Sequence, residues 1–413
     1  MNSKYDVSII IINYNGKKYI DNLFRSLQQM ETGGISHEII MVNNGDDDHS
    51  IEYLKEKFGD MKQLKIVETG GNLGYAGGNN AGAECAEGEY LIFLNNDTAV
   101  DKKWLVNLFH FIKQTPFCGM ANSKLLFFYD FISLTFKTTD KVILSSSIKI
   151  NGMEYQIVNK FCKNLLYESE RIVCFGNSEI SVPLLKGDCD SKIEFYCMED
   201  QGEGSSVICC GHNVFLKNGK SGSIILEHAE IEGNKYSLIQ NAGSGINENF
   251  DGYDIGFGER DSDKYSRPYE IMSGCGASVI MLKEDFIKCG KFDERFFMYY
   301  EDSDLSFRLR KLGKKIMFCP QSLVRHIHTG SSEEWSPFFC YQVSRNKLLF
   351  VLKNVSFFQF ILYFCRQWIS AVKNRNCYQK WGCMDAWKIG LMGKHTDFKE
   401  RCAKSEGKSR QNK

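Results

Sequence analysis

The chain has 413 residues, of which 43% are hydrophobic and 25% are charged, with 5 prolines. This composition is globular, and the length suffices for two or three domains. The formal net charge is zero, so the overall charge does not favour nucleic acid as a partner. The 16 cysteines include no CxxC pair and no signal peptide opens the sequence, which predicts reduced thiols in a cytosolic compartment.

The first hundred residues alternate between strand-like and helix-like segments. Buried strands are predicted at 7–12, 38–42, 64–68 and 90–94, with helices at 19–30, 51–58 and 81–86. This alternation predicts an α/β fold with a doubly wound parallel sheet. Ligands of such sheets bind beyond the carboxyl ends of the strands, where this chain places Asn, Asp and Gly.

The pattern changes further along the chain. Between residues 131 and 240, short apolar runs alternate with turn residues, which predicts an inserted all-β domain. The last sixty residues are helical in pattern and rich in aromatics, and 394–413 contain seven Lys or Arg against three Asp or Glu. We therefore divide the chain into a first α/β half at 1–128, a β-rich insertion at 129–240, a second α/β half at 241–353 and a helical extension at 354–413.

A glycine-rich run occupies residues 70–82. Small residues let the backbone approach a ligand closely, and free amides at a helix start favour phosphate. A flexible turn is the alternative interpretation. The run does not fit GxGxxG, and the chain contains no GxxxxGK[ST], which disfavours a dinucleotide-binding site and a P-loop.

Asn95-Asn96-Asp97-Thr98 follows the fourth predicted strand. One carboxylate at a strand end can bind Mg²⁺ or Mn²⁺ together with substrate phosphates, although a simple Asx turn explains the residues equally well. His326 and His328 follow a later predicted strand and could offer one imidazole to the same metal.

Glu301, Asp302 and Asp304 lie directly after an aromatic stretch at 296–300. A carboxylate in a partly dry pocket could remove a proton from a bound hydroxyl. Acidic residues in the first turn of a helix are the alternative, because they interact favourably with the helix dipole.

Together these segments resemble the family 2 glycosyltransferases, which are inverting enzymes of the GT-A fold, and within them the bacterial rhamnosyltransferase-like branch. Residues 72–82 are similar to the NxGfaxGnNxG signature, and 290–305 to the GxFDexFFxYxEDxDL block. Further similarities are the first strand and nucleotide loop at 7–16, a DxD-type motif at 95–97 that keeps only the last acid, a GA loop at 274–277 and an SPxxxYxxRN segment at 336–346.

The resemblance implies a role for individual residues. Donor contacts are implied for Asn13, Tyr14, Asn15, Asn43, Asp48, Asn72, Gly74, Asn79 and Asn96. An acceptor side is implied at Gly276, Ala277, Tyr300 and Asp304. The catalytic base would be Asp302, supported by Glu301, and the Mn²⁺ or Mg²⁺ ligands would be Asp97 and His326, with His328 as second choice.

One departure concerns the second strand, which ends in VDNxSxD in the family. Here Asn43 replaces the first acid and only Asp48 keeps the last one. Asn43 can still hydrogen-bond an imide, but through a neutral amide. The departure therefore bears on donor affinity and on the preferred base.

The resemblance predicts inverting transfer of a sugar from a nucleotide-diphospho-sugar to a hydroxyl of a glycan or polyprenol-linked acceptor, in the synthesis of a surface polysaccharide such as O-antigen or capsule. dTDP-rhamnose is the first expected donor, and UDP-hexose, UDP-GlcNAc or UDP-galactofuranose is the alternative. A rival of another class is a glycan-binding protein with a weak or inactive transferase domain.

Two regions keep several interpretations. The aromatic C-terminal segment predicts peripheral contact with the inner face of the plasma membrane, or a helix packed on the catalytic domain or in a homodimer. The β-rich insertion is an oligomerisation surface, a glycan-binding module or a spacer.

Overall fold

The computed structural model describes residues 3–168, 170–185, 190–202, 204–327 and 336–392. The chain divides into two compact units. The first draws its described residues from Met1–Leu125, Asn241–Ile255 and Tyr265–Lys413, and the second from Leu126–Gln240 and Gly256–Lys264.

The first unit begins with alternating strands and helices, as the sequence predicts. The elements are β1 (Tyr5–Asn13), α1 (Lys17–Gln29), β2 (His37–Asn43), α2 (Ser50–Phe58), β3 (Leu64–Glu68), α3 (Gly74–Cys85) and β4 (Gly88–Asn95). The four strands are parallel in the order β3-β2-β1-β4. Their carboxyl ends therefore meet at one edge of the sheet, where ligands of such folds bind.

Helix α3 starts at Gly74, seven residues before the predicted start at 81. The glycines let this helix lie directly on the sheet, because a Cβ at Gly78 would come within 2.2 Å of Ile12 and one at Gly82 within 2.5 Å of Ile10. Most of the glycine-rich run is thus an ordered, close-packed helix. The flexible-turn interpretation is wrong for residues 74–82.

The chain continues through β5 (Thr98–Val100), α4 (Trp104–Gln114) and β6 (Cys118–Phe127) into the second unit. There the elements are β7 (Phe131–Lys137), β8 (Val142–Ser145), β9 (Ser147–Ile150), β10 (Met153–Gln156), β11 (Cys162–Glu168), β12 (Arg171–Pro183), β13 (Ser191–Asp200), β14 (Ser206–Cys209), β15 (His212–Phe215), β16 (Lys220–Leu226) and α5 (His228–Asn234). The strands form an antiparallel sheet in the order β10-β9-β13-β8-β12-β7-β14-β15, with β11 on β12 and β16 on β13. Inward-facing side chains from these strands build a separate apolar core.

The return to the first unit completes its sheet. The elements are β17 (Ile239–Asn241), β18 (Ser244–Ile246), β19 (Gly252–Asp254), β20 (Tyr269–Ile271), β21 (Ser278–Leu282), α6 (Lys283–Lys288), α7 (Glu301–Lys311) and β22 (Lys315–His326). β21 inserts beside β4 in antiparallel orientation, and the order continues β4-β21-β6-β22-β20. The first four strands are therefore parallel, whereas β21 is antiparallel to both of its neighbours, so the sheet as a whole is mixed.

Three helices follow: α8 (Pro337–Asn354), α9 (Phe357–Lys373) and α10 (Cys377–Met392). Ser336 caps α8 and Ser356 forms a capping box with Gln359 at the start of α9. Phe360 of α9 stacks on Trp387 of α10 at a centroid distance of 5.9 Å. Among the described helices, none is both long enough and apolar enough to cross a membrane.

Candidate active site

The ends of the parallel strands carry a small network of amides. Asn13, the last residue of β1, is buried and donates from Nδ2 to Ser50 Oγ at 2.7 Å. Its Oδ1 accepts from Asn96 Nδ2 at 3.0 Å. Two of the predicted donor-site residues therefore contact each other at the edge of the sheet.

The loop after β1 is tied to the loop after β2. Asn15, in a left-handed conformation at φ 48°, accepts from the Asp47 amide at 2.8 Å. Asp48 accepts from the Lys17 amide at 2.8 Å and from the Ser50 amide at 3.1 Å. Burial alone would raise the pKa of Asp48, but these hydrogen bonds outweigh it and lower the pKa. Asp48 thus joins the starts of α1 and α2 as a carboxylate.

Tyr14 and Asn43 flank this loop. The Tyr14 ring is 41% exposed and lies against Gly45, where an added Cβ would come within 2.9 Å of the ring. Asn43 donates to Glu68 Oε2 at 2.7 Å and accepts from the Gly45 amide at 3.3 Å. Both ends of the Asn43 side-chain amide are therefore engaged within the protein.

Asn44, which the sequence analysis did not single out, shapes the glycine-rich run. It is buried, accepts from the Leu73 amide at 2.9 Å and donates to Asn72 Oδ1 at 3.1 Å. Asn72 in turn accepts from the Gly74 amide at 2.9 Å. Asn79 is buried in α3 and donates to the Tyr75 carbonyl at 2.9 Å.

The start of α3 contacts the aromatic stretch that precedes the acidic cluster. The Ala76 amide donates to the Phe297 carbonyl at 3.1 Å. Gly74, at φ 71°, leaves room for that carbonyl, because a Cβ there would lie 2.4 Å from it. One of the helix-start amides that the sequence analysis assigned to phosphate is thus already occupied by protein.

Asp97 and His326 meet because β22 pairs with β5, which sets His326 opposite Thr98. His326 Nε2 lies 3.0 Å from Asp97 Oδ1, and Asp97 is only 3% exposed. Within the described ranges, this Oδ1 accepts no hydrogen bond of good geometry. His328 lies outside the described residues.

The Asp97–His326 contact has two chemical interpretations. With a proton on Nε2 the contact is an ion pair or a neutral hydrogen bond, whereas an Nε2 that carries no proton points a lone pair at the carboxylate unless a cation lies between them. Two ligand atoms at right angles, each about 2.1 Å from one cation, are roughly 3 Å apart. In the part of the chain that the structure covers, no group of three or more Asp, Glu, His or Cys is arranged to hold a metal.

Asp302 is held at the first turn of α7 by backbone amides. Its Oδ2 accepts from Gly276 N at 3.1 Å and its Oδ1 accepts from Ser303 N at 2.7 Å. Burial raises the pKa of Asp302, and the nearby Asp254 adds to the rise, while the two amides oppose it. The carboxyl group is therefore a stronger base than an ordinary aspartate, and it is held in one orientation.

The other two acids of the cluster have different surroundings. Glu301 is buried, and its Oε2 has no hydrogen-bond partner among the described residues. Burial, followed by the charges of Asp302 and Asp304, raises the pKa of Glu301 well above its usual value. Asp304 is buried between Arg308, 2.7 Å away, and Lys353, 2.6 Å away. Glu301 is thus favoured as a neutral acid, whereas Asp304 is paired on two sides.

Gly276 links the acidic cluster to the glycine-rich run. Its carbonyl accepts from Tyr75 Oη at 2.6 Å, while its amide binds Asp302. The next residue, Ala277, is buried, and its carbonyl accepts from the Asn95 amide at 3.0 Å. Segments about two hundred residues apart in sequence are therefore joined at the strand ends.

The aromatic stretch itself has an unusual backbone. Phe297, Tyr299 and Tyr300 all have positive φ, at 64°, 72° and 70°, which is costly for bulky side chains. Asn346 Nδ2 donates to the carbonyls of Met298 and Tyr299 at 2.6 and 2.7 Å. This side chain of α8 thereby holds a strained segment directly before the acidic cluster. Strain of this kind is concentrated at functional sites.

Two more functional candidates escaped sequence reasoning. Asp254 on β19 raises the pKa of Asp302 and is held by Asn241 at 2.6 Å. Asn80 on α3 donates to the Phe292 carbonyl at 2.9 Å and so fixes α3 against the acidic block. No local pattern distinguishes Asp254, because it lies in a short hairpin that precedes the acidic cluster at 301–304 by many residues in sequence. Asn80 lies inside the glycine-rich run, which was the available signal.

Residues 8–126 match the family model described as "Glycosyl transferase family 2". An uncharacterized glycosyltransferase of Haemophilus influenzae is 28% identical over 108 residues, which cover 26% of this chain and 33% of the relative. The poly(ribitol-phosphate) beta-N-acetylglucosaminyltransferase TarS of Staphylococcus aureus is 29% identical over 108 residues, covering 26% of this chain and 19% of TarS. The match therefore spans a third or less of each relative's length.

Among solved structures, GalNAc-T7, crystallised with UDP, GalNAc and Mn²⁺, aligns with 94% of this chain and 56% of its own, at 15% identity and a TM-score of 0.48. The part of the family match up to Leu125 lies in the first unit. The GT-A fold of this unit, with the separate β-rich unit and the C-terminal helices, confirms the predicted fold class.

Proposed function

We propose that the protein is an inverting glycosyltransferase that moves a sugar from a nucleotide-diphospho-sugar to a hydroxyl of a glycan or lipid-linked acceptor in the synthesis of a cell-surface polysaccharide. The observation that carries the proposal is the connection between Asp302 and the strand ends through Gly276. The Gly276 amide orients the Asp302 carboxylate, and its carbonyl binds Tyr75 at the start of α3. Asp302, the candidate base, is thereby connected to helix α3, which follows the end of strand β3.

The chemistry assigned to Asp302 is general base catalysis. An acceptor hydroxyl attacks the anomeric carbon, its proton passes to the Asp302 carboxylate, and the bond to the nucleoside diphosphate breaks on the opposite face. Amide hydrogen bonds at 3.1 and 2.7 Å fix the direction of this carboxylate. The pKa of Asp302 is raised towards neutral pH. A general base is most effective when its pKa lies near the pH at which it works.

Asp97 and His326 are the residues that would hold Mn²⁺ or Mg²⁺. Their 3.0 Å separation fits two ligands of one cation, as does an Asp97 oxygen that accepts no well-aligned hydrogen bond from the described residues. When bound, such an ion would neutralise charge on the leaving diphosphate. Asn13 and Asn96 lie at the same sheet edge and are proposed to position the donor.

For the donor we retain dTDP-rhamnose as the first expectation, with UDP-hexose, UDP-GlcNAc or UDP-galactofuranose as alternatives. The name of the staphylococcal relative, an N-acetylglucosaminyltransferase, supports keeping UDP-GlcNAc among these alternatives. Tyr14 presents a half-exposed ring at the strand ends, on which a pyrimidine could stack. An imide contact from Asn43 would have to compete with its bond to Glu68.

The test is Asp302→Asn, assayed by release of nucleoside diphosphate from each donor with water as acceptor, so that no acceptor need be known. We expect a fall of about 10²- to 10⁴-fold, the usual contribution of a general base, with nucleotide affinity by calorimetry changed less than twofold. Because the new Nδ2 must face either the Gly276 or the Ser303 amide, Asp302→Ala is measured in parallel. Thermal melting of both variants confirms that they fold.

Asp254→Asn is the matched control, since this second carboxylate influences the pKa of Asp302 but is exposed. Turnover should stay within tenfold of the unmodified protein. Normal turnover by Asp302→Asn, or a large loss confined to Asp254→Asn, would remove Asp302 from the role of base.

A second experiment separates the transferase from a glycan-binding protein. The donors are screened with Mn²⁺, with Mg²⁺ and with EDTA, for the unmodified chain and for Asp97→Asn and His326→Ala. We expect turnover that requires the cation and metal-dependent nucleotide affinity that falls in both variants. No turnover with any donor, combined with tight glycan binding, would favour the rival function.

A further inference from the structure

Helix α9 carries an apolar stripe that faces solvent. The stripe consists of Phe358, Leu362, Cys365, Ile369 and Val372, at spacings of four, three, four and three residues, so its members share one face of the helix. Cys365 is exposed, and the other four side chains are 46–72% exposed. Single exposed apolar residues need no explanation, but an aligned row over about 20 Å of helix does.

The stripe is not required for packing within the first unit. The opposite face of α9 already fills the contact with α10, where Phe360 is fully buried and Phe364 lies 5.2 Å from Trp387 between ring centroids. Ala371 is buried on the same side. The helix is therefore apolar on two faces, of which one is left for an outside partner.

The charged residues of α9 and of the segment that follows it are of one sign. Between residues 355 and 384 the sequence contains Arg366, Lys373, Arg375 and Lys380, and neither Asp nor Glu. Arg366 and Lys373 directly follow stripe residues at 365 and 372. Exposed apolar residues beside basic ones, with no acid among them, fit a surface that offers anionic groups above an apolar layer.

The same charges disfavour a second copy of the chain as the partner. The four–three spacing is that of a coiled-coil seam, which sets the flanking positions of two helices against each other. Here those positions include Arg366 and Lys373, and α9 contains no acidic residue to pair with them. Two copies of α9 would therefore place like charges along the seam.

We propose that α9 docks on the surface of an anionic lipid bilayer, with the stripe inserted among the acyl chains and the basic residues at the headgroups. Helices of this kind lie in the plane of the interface. This mode needs no spanning segment and concerns a different surface from the sugar-transfer site.

Helix α9 also contacts the loop of the β18–β19 hairpin. Tyr363 Oη donates to the Glu248 carbonyl, and its ring lies 4.8 Å from Phe250. The Phe250 carbonyl accepts from Tyr300 Oη at 2.9 Å, directly before the acidic cluster. Docking would therefore bring the candidate acceptor side near the lipid surface, which suits an acceptor held in the membrane and rests, in that respect, on the proposed function.

The test is co-sedimentation of the full chain with vesicles of phosphatidylcholine, with and without 30% phosphatidylglycerol. We expect binding to the anionic vesicles that is at least tenfold stronger than to neutral ones and that weakens in high salt. Leu362→Gln/Ile369→Gln should reduce binding to anionic vesicles by about tenfold or more. Arg366→Gln/Lys373→Gln should remove most of the preference for anionic lipid.

A matched control is Ile287→Gln/Leu312→Gln, which removes an Ile and a Leu that are 54% and 42% exposed elsewhere in the same unit. This variant should bind vesicles normally. Equal binding by the stripe variant and the control, or no binding to anionic vesicles by the unmodified chain, would overturn the proposal. So would a dimer in light scattering that Leu362→Gln/Ile369→Gln alone dissociates without any vesicle binding. Nucleotide affinity is measured for every variant, so loss of docking is separable from failure of the transferase proposal.

Discussion

Replacing Glu301 by Gln tests whether the buried carboxyl beside Asp302 is protonated in the folded protein. Glu301 is 5% exposed, and its Oε2 lacks a hydrogen-bond partner among the described residues. Its pKa is raised well above the usual value by burial and then by the charges of Asp302 and Asp304. The folded state therefore binds this proton more tightly than the unfolded chain does.

The sign of the pH dependence follows from that difference. A raised folded pKa contributes stability that is fully present below the unfolded pKa, near 4.5, and is lost as pH rises towards the folded pKa. Over that window the free energy of unfolding falls by about 1.4 kcal/mol per pH unit. Between pH 5 and 7 the loss from this one group reaches at most about 3 kcal/mol.

Glu301→Gln should remove this slope, because the amide resembles the protonated acid and does not titrate. The measurement is urea unfolding of both proteins at pH 5, 6 and 7 and constant ionic strength, with the variant gaining in relative stability as pH rises. Glu89→Gln, at an exposed position on β4, is the control and should leave the slope unchanged. If the free energy of unfolding depended on pH in the same way for Glu301→Gln and the unmodified chain, the protonated state of Glu301 would be refuted.

Two further predictions concern the support of the site. Lys353→Met should lower the free energy of unfolding, measured by urea titration, by about 3–5 kcal/mol. Lys353 Nζ lies 2.7 Å from Asp293 and 2.6 Å from the buried Asp304, so both carboxylates would lose a partner. Gly276→Ala should reduce donor turnover at least tenfold while leaving nucleotide affinity within twofold, because a Cβ there would lie 2.5 Å from Tyr75 Oη and would displace the loop that orients the base.

Each of these two predictions has a matched control. Lys57→Met breaks an exposed ion pair at 3.3 Å and should cost less than about 1 kcal/mol; a similar cost for Lys353→Met would mean that its two carboxylates find other partners. Gly252→Ala adds a Cβ with no atom within 4 Å and should keep full turnover. Full turnover in Gly276→Ala would show that the loop tolerates the shift.

Much of the first unit could be predicted because its signals are local. The β-branched run at 7–12 must be buried on both faces, and it forms the central part of β1. Alternation of such runs with helical segments determines a layered α/β unit, and the polar residues at 13, 43 and 95 fall at the carboxyl ends of parallel strands. The spacing of the β-rich stretch likewise indicated strands because turn residues interrupt it regularly.

Other features depended on which strands become neighbours. The antiparallel β21 inserts beside β4, and β22 pairs with β5, which alone brings His326 to Asp97. The sequence predicted too short a helix α3 because glycines disfavour helices locally. In the structure, the same glycines let the helix pack closely on the sheet, which stabilises it. Long-range packing outweighed local propensity.

By itself, the sequence determined the residue types at the strand ends, the acidic cluster after the aromatic stretch and the order of the motifs. Only the tertiary structure decided the state of each acid: Asp302 on two amides, Glu301 buried with an Oε2 that has no partner among the described residues, and Asp304 between Arg308 and Lys353. The physical reason is that burial and charged neighbours set the ionisation of a carboxylate. Ser303 and Arg308 belong to α7 itself, but Lys353 comes from α8 and Gly276 from a separate loop, and only the tertiary structure brings these two to the acids.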